Sequence, residues 1–409
     1  MPTSERPCVV AARGPRRQRR SGPVRRTGEL RGRAAVASHE RDPVLVADAG
    51  SSSLHLTVFA NDGTALASYD NASAPGDNMS GQLRDLLRYA PAPMAVGHRI
   101  VHGGPDLRQH TLVDDQVRDT LQLTADLAPS HVPPALLVLD AARELLPNVP
   151  HVACFDTVFH AGLPTAAREF AVPDTWRGEY GVRRYGFHGL SYAWALSSTA
   201  ELLRRRPGSL RIVIAHLGGG SSACAVRDGT SVDTTMGFTP LDGLVMSRRS
   251  GAVDPGALTW LQTRHGLSAQ DIEEALNHRS GLLALSGTSG DTRDLVRDRA
   301  AGDERAALAL DVFTHHCRRG IAAMAASLDR LDALVLTGEI GQDQPEVREE
   351  ICAGLGILGV TGGLLVPPSD DDVAARLVSP PEATVPVIVV STGEARQIDK
   401  ETRALLREA

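Results

Sequence analysis

Val44-Leu45-Val46-Ala47-Asp48-Ala49-Gly50-Ser51-Ser52-Ser53-Leu54-His55-Leu56-Thr57-Val58-Phe59 is the stretch that decides the fold. An apolar β-type run, a turn of small hydroxyl-bearing residues and an alternating run predict two strands joined tightly. The order recurs as Arg211-Ile212-Val213-Ile214-Ala215, a Gly/Ser turn from His216 to Ser222, then Ala223-Cys224-Ala225-Val226. A third apolar run, Leu334-Val335-Leu336, leads into Thr337-Gly338-Glu339-Ile340-Gly341, expected as a loop. Helical spacing fills the intervals at Pro133–Leu146, Leu190–Arg205 and Asp303–Leu328, the last with Leu308, Val312, Phe313, Ile321 and Met324 on one stripe. Ser268-Ala269-Gln270-Asp271 resembles a capping box opening a short helix that stops near Gly281. Strands alternating with helices make an α/β protein. The repeated strand–turn–strand unit predicts an internally duplicated fold with a cleft between its halves.

The chain has 409 residues, a formal net charge of −6, 42% hydrophobic residues and 4% aromatics. That composition excludes a collagen-like fibre and a wholly disordered chain, and no apolar run approaches the roughly 18–20 residues of a membrane helix. Five scattered cysteines, none spaced as CxxC, give neither a disulfide framework nor a zinc site and suit a reducing cytoplasm. Lys400 is the one lysine, so arginine must do the cationic work near any substrate. Residues 1–41 are Arg-rich, with ten arginines and three glutamates in the first forty, and are expected to be a disordered extension. A solvated tail or an early start assignment explains it better than a nucleic-acid arm, and neither nucleic acid nor membrane is expected as a partner.

Turns of small residues at strand ends let backbone N–H groups and hydroxyls approach phosphate oxygens. Asp48–Ser53 and His216–Ser222 are two such turns. No Gly-Lys-Ser/Thr makes either one a Walker loop, and a following strand argues against a dinucleotide fingerprint.

Beyond these turns the chain resembles the acetokinase family. The resemblance is carried by Val44–Leu54, Gly97-His98-Arg99-Ile100-Val101-His102-Gly103-Gly104, Phe155-Asp156-Thr157-Val158-Phe159-His160 and Tyr185-Gly186-Phe187-His188-Gly189. Met236-Gly237-Phe238-Thr239-Pro240-Leu241-Asp242-Gly243-Leu244 and Arg249-Ser250-Gly251 continue it in family order. It implies two duplicated actin-like (ribonuclease H-like) ATPase domains closing over ATP: residues 42–158 with 394–409, and 159–393, the second binding the nucleotide. It also implies a cytoplasmic homodimer that reversibly transfers the γ-phosphoryl group of ATP to acetate, with propionate a further acceptor.

Residue roles follow from the same resemblance. Arg99 and Arg249 match the active-site arginines, whose guanidinium forks suit carboxylate and phosphoryl oxygens. Asp156 matches the catalytic aspartate and His188 the histidine beside the transferred group. An ionised acceptor carboxylate needs no base, so Asp156 is expected to orient an arginine or the metal's water. His131 and His216 fall at cleft positions. Val101, Ser130, Phe187 and Pro240 would line the acid pocket. Ser51, Ser53 and His55, with His216-Leu217-Gly218-Gly219-Gly220, would approach the phosphates. Asp291-Thr292-Arg293 and Glu339-Ile340-Gly341-Gln342-Asp343 would lie near adenosine. Asp48 and Glu394 would hold Mg²⁺.

The chain departs from the family pattern at several of these positions. Asp48 replaces Asn, His55 replaces Lys, Gly219 replaces Asn, Glu339 replaces Gly, and Ser130 replaces Leu. The nucleotide-side changes keep open a shifted phosphoryl donor, or an impaired relative acting as a nucleotide-binding or interaction protein. Ser130 predicts wider acceptance of propionate, and butyrate kinase is a near neighbour in chemistry.

Overall fold

The computed structural model describes residues 9–10, 42–50, 53–71, 79–362 and 373–408. One mixed sheet contains β1 (Val9–Val10), β2 (Val44–Ala49), β3 (Leu54–Phe59), β4 (Ala65–Asn71), β5 (Ala95–Ile100), β6 (Thr111–Leu112) and β7 (His151–Phe155), in the order β1-β4-β3-β2-β5-β7-β6. The other contains β8 (Arg211–Leu217), β9 (Ser221–Arg227), β10 (Thr230–Thr234), β11 (Ala333–Thr337), β12 (Ala375–Leu377) and β13 (Val387–Val390), in the order β10-β9-β8-β11-β13-β12. Antiparallel β4-β3-β2 followed by parallel β5 and β7 repeats as antiparallel β10-β9-β8 followed by parallel β11 and β13. The duplicated α/β fold expected from the two strand–turn–strand stretches is therefore present.

Strand periodicity explains the layers, because successive side chains point to opposite faces. On β8, Ile212 and Ile214 pack with Tyr192, Ala195 and Leu196 of the Gly189–Leu202 helix. Val213, Ala215 and Leu217 pack with Phe313 and Ile321 of the Glu304–Ala326 helix on the other face. Likewise on β2, Leu45 and Ala47 meet Leu136 and Leu139 of the Val132–Leu145 helix. Val44 and Val46 cluster with Ile398 of the Glu394–Glu408 helix, which returns to lie on β2, β5 and β7. That return needs a glycine at residue 97. A Cβ there would sit 2.3 Å from Thr402 Oγ1 and 2.8 Å from Ile398 Cγ2.

Several expectations change. Thr337–Gly341 is not a loop: Gly338–Asp343 is a short helix, with Gly338 at φ +80° making the turn out of β11. The capping box forms between Ser268 and Asp271, but its helix ends at His278, and Gly281 instead opens a Gly281–Ser286 helix. Leu308 leaves the predicted stripe and is 52% exposed, while Ala306, Leu310, Phe313 and Cys317 are buried, because the core covers a narrower arc than the apolar residues span. Of residues 1–41, Val9–Val10 pairs with Tyr69 and Ser68 of β4. The rest of the arm lies outside the described residues, as does Ser51. Among the described residues no helix is long and apolar enough to cross a membrane.

Candidate active site

Parallel strands of one sheet end side by side, and ligands of open α/β sheets bind at those carboxyl ends. Asp48 and Arg99 lie next to the ends of β2 and β5, and Asp156 follows β7, its N–H donating to Ile100 O. The three therefore meet. Arg99 donates through Nε and Nη2 to Asp156 Oδ2 at 3.1 and 2.9 Å, and through Nη1 to Asp48 Oδ1 at 3.0 Å. Burial alone pulls the guanidinium down, but Asp156, Asp48 and Glu394 outweigh it and hold its pKa well above the usual range. Burial pushes the Asp156 and Glu394 carboxyls up, and Arg99 opposes the rise in both. The Asp156 Oδ1 atom is buried without a hydrogen-bond partner among the described residues.

From the other sheet, β8 ends at His216-Leu217 and the Gly218–Gly220 turn follows. His216 stacks on His188 with ring centroids 4.2 Å apart. His188 sits at φ +60° just before the Gly189–Leu202 helix, a left-handed conformation rare for a residue bearing a Cβ. A Cβ on Gly220 would lie 2.8 Å from Arg249 Nη2 and 3.3 Å from His188 Nε2, so both groups face the open side of that glycine. Arg249 Nη1 donates to Pro240 O at 2.6 Å, and burial lowers its pKa to about 10.

All three histidines of the cleft are neutral at pH 7. Burial, followed by the nearby Arg249 and Arg99, brings His131 to about 3. Burial and Arg99 bring His216 to about 4, and burial, His216 and the two arginines hold His188 well below its usual value. These rings offer neutral hydrogen bonds, not imidazolium charge.

Gly218, Gly219, Asp291, Thr292, Arg293, Glu339, Ile340 and Asp343 line one cavity of ≈ 340 Å³, which brings half of the expected nucleotide residues together. Ser247, Gly290 and Gln344 complete it and were not foreseen. Ser247 Oγ donates to Gly290 O, and its N–H donates to Gly219 O, so it ties the two sides together. Leu217 is instead in the core, Gly341 is buried with its carbonyl accepting from Arg348, and Gln342 Oε1 accepts from Thr392 N–H. Ser53 closes the first turn, its carbonyl accepting from Gly50 N–H. His55 lies outside the cavity's lining, with Nδ1 2.7 Å from Asp70 Oδ1 on a half-exposed strand surface.

Val101 and Phe187 share the core cluster of Leu45, Ala47, Leu136 and Leu139, and Pro240 is held through Arg249. Ser130 stands apart from them. It lines an open cavity of ≈ 630 Å³ with Gln270, Asn277 and His278, because its loop faces the Ala269–His278 helix.

Three hydroxyls escaped the sequence reading. Ser191 Oγ is 2.8 Å from His216 Nδ1 and hydrogen-bonds Glu394, while Ser222 and Tyr192 adjoin His188. Ser191 and Tyr192 lie three and four residues after His188 on one helix face, the available signal.

A family model described as the Acetokinase family matches residues 84–400. An acetate kinase of Carboxydothermus hydrogenoformans is 40% identical over 323 residues, covering 78% of this chain and 80% of that protein. Another, from Leifsonia xyli subsp. xyli, is 46% identical over 309 residues, covering 75% and 77%. A solved propionate kinase from Francisella tularensis subsp. tularensis superposes with a TM-score of 0.80 at 29% identity, covering 89% of this chain and 99% of that one. Similarity of this extent takes in the second sheet, strands β5 to β7 of the first and every motif gathered at the cleft from Arg99 onward, and the chain belongs to the acetokinase family.

Proposed function

We propose that the chain is an ATP-dependent acetate kinase, transferring the γ-phosphoryl group of ATP to acetate to give acetyl phosphate and ADP. The observation that carries this reading is the pair of arginines at one cleft: Arg99 anchored on Asp156 and Asp48, and Arg249, with no carboxylate partner among the described residues, at the open side of Gly220 in the turn whose Gly218 and Gly219 line the ≈ 340 Å³ cavity. Transfer to an ionised carboxylate demands positioning and cations more than proton removal. Asp156 orients Arg99, while Arg249 and the neutral His188 face the transferred group. Val101, Phe187 and Pro240 form the apolar end of the acid site.

The donor set also suits magnesium. Asp48, Asp156 and Glu394 place three carboxylates around one arginine, and Asp156 Oδ1 lacks a partner among the described residues. Hard oxygens that do not close into a full cage match an ion that keeps several waters. Asp48 and Glu394 would hold it, and when bound it neutralises the nucleotide phosphates. We place the domain division at residues 42–158 with 394–409 and residues 159–393, in a cytoplasmic protein.

We also propose a homodimer. The Pro255–His265 helix has no buried residue, and Trp260 is 54% exposed and neighbouring Val253 42%. An isolated helix of that length is marginal in water, and a second copy would cover it. Light scattering should give twice the 43.4 kDa chain mass; a monomer at micromolar concentration refutes the dimer.

Trapping acyl phosphate with hydroxylamine, using ATP, Mg²⁺ and a series of short acids, tests the kinase directly. Acetate should give hydroxamate, with propionate within about tenfold in kcat/KM, since one methylene discriminates by only about 10–200-fold. A folded protein that gives none with any donor would mean that the substitutions at His55, Gly219 and Glu339 have silenced it.

A further inference from the structure

His188 presents a neutral ring to the cleft, so its action there depends on which nitrogen carries the proton. Its Nδ1 is 2.8 Å from Ser222 Oγ, and Ser222 Oγ is hydrogen-bonded in turn to the Tyr192 hydroxyl. Ser222 and Tyr192 are fully buried, and these are the only side-chain hydrogen bonds of either hydroxyl among the described residues. The two hydroxyl protons and one ring proton must be ordered along this row. Were Nδ1 protonated, it would donate to Ser222, and either the serine or the tyrosine proton would point at nothing. A buried donor left unmade is costly. One order satisfies every group: Tyr192 donates to Ser222, Ser222 donates to Nδ1, and the ring proton resides on Nε2. That nitrogen has no protein partner among the described residues and faces the open side of Gly220, next to Arg249 Nη2. Burial also keeps the Tyr192 phenol protonated and available as the first donor.

We propose that Tyr192 and Ser222 are positioning residues that fix His188 as the Nε2–H tautomer, aiming a neutral hydrogen-bond donor, beside Arg249, at the phosphoryl group in transfer. The inference rests on the kinase reading for the identity of that group. It resembles the way a buried partner sets the working tautomer of a catalytic histidine in other enzymes, where the wrong tautomer is strongly damaging.

The test combines nitrogen NMR of the full chain labelled with ¹⁵N-histidine and steady-state kinetics. His188→Asn identifies the His188 signals. In the unmodified chain, Nε2 should resonate as a protonated nitrogen and Nδ1 as an unprotonated one. Tyr192→Phe keeps the packing but removes the first donor, so Ser222 can turn and the ring proton divides between the nitrogens. Its kcat should fall about tenfold, and that of Ser222→Ala about 10²-fold, with KM for ATP and acetate within about twofold. Ser222→Thr, which keeps the hydroxyl, should recover most of kcat. A proton on Nδ1 in the unmodified chain overturns the proposal. So does Tyr192→Phe with unchanged spectrum and kcat, or a loss expressed in KM alone. If the unmodified chain makes no acyl phosphate, the kinase reading fails, while the same spectra still decide the tautomer.

Discussion

Arg249→Ala is expected to lower kcat for acyl phosphate formation by about 10³-fold and to leave the melting temperature unchanged or raised. The two halves of this result have one cause. Arg249 is half-buried, donates to Pro240 O, and has no carboxylate partner among the described residues. Taking a guanidinium out of water without an opposing charge costs stability, and here the cost lowers its pKa to about 10. The cation is useful once negative oxygens arrive at the Gly220 side of the cleft, where its Nη2 points. Alanine removes both the cost and the use, as expected where function opposes stability. Hydroxamate assays and a thermal melt on the same preparation check it. A melting temperature several degrees below the parent would show that Arg249 supports the fold instead.

Arg99→Ala should behave differently, losing activity and stability together. Among the described residues its guanidinium is the one cation hydrogen-bonded to Asp156 and Asp48, and Glu394 also leans on its charge. Removing one partner of such a buried arrangement leaves uncompensated carboxylates, at about 3–5 kcal/mol. The loss also carries a pH signature. Asp156 already titrates above its unfolded value through burial, with Arg99 opposing the rise; without Arg99 the rise is larger. A carboxyl raised in the folded state binds its proton more readily there than in the unfolded chain. The variant's deficit is therefore absent below the unfolded pKa and grows as pH increases through the folded one. Urea unfolding should find Arg99→Ala closer to the parent at pH 5 than at pH 7. Equal stability of the two proteins at pH 7 would contradict the role assigned to this arginine.

The contrast between the two arginines was not legible in the sequence, where both appear as motif residues of the same type. What sequence carried well was local. The period-two runs at Val44 and Arg211 fix strands whose both faces are covered, and the small turns after them fix where the cleft opens. Which acids surround Arg99 depends on three strands meeting at residues 48, 99 and 156, and no spacing rule encodes that. His55 was placed near the nucleotide, but its cross-strand neighbour Asp70 takes its ring. Resemblance groups Ser130 with Val101 and Phe187, and no motif shows that its loop also faces the Ala269–His278 helix, a contact across a long stretch of chain. Ser222 stood in a quoted turn without a role, since its importance comes from Tyr192 on a distant helix.

The Glu394–Glu408 helix has a consequence for how the molecule comes into being. Domains commonly fold in the order they leave the ribosome, but this one covers strands β2, β5 and β7 from the far side of the second sheet in sequence. Until that segment has been made, Val44, Val46 and Val152 have no lid and Glu394 is missing from the cleft. The first half must wait, apolar and open, while the second is synthesised. A nascent or prematurely terminated chain would therefore be inert as well as adhesive, and the last turn of synthesis both seals the earliest-made core and completes the catalytic cleft.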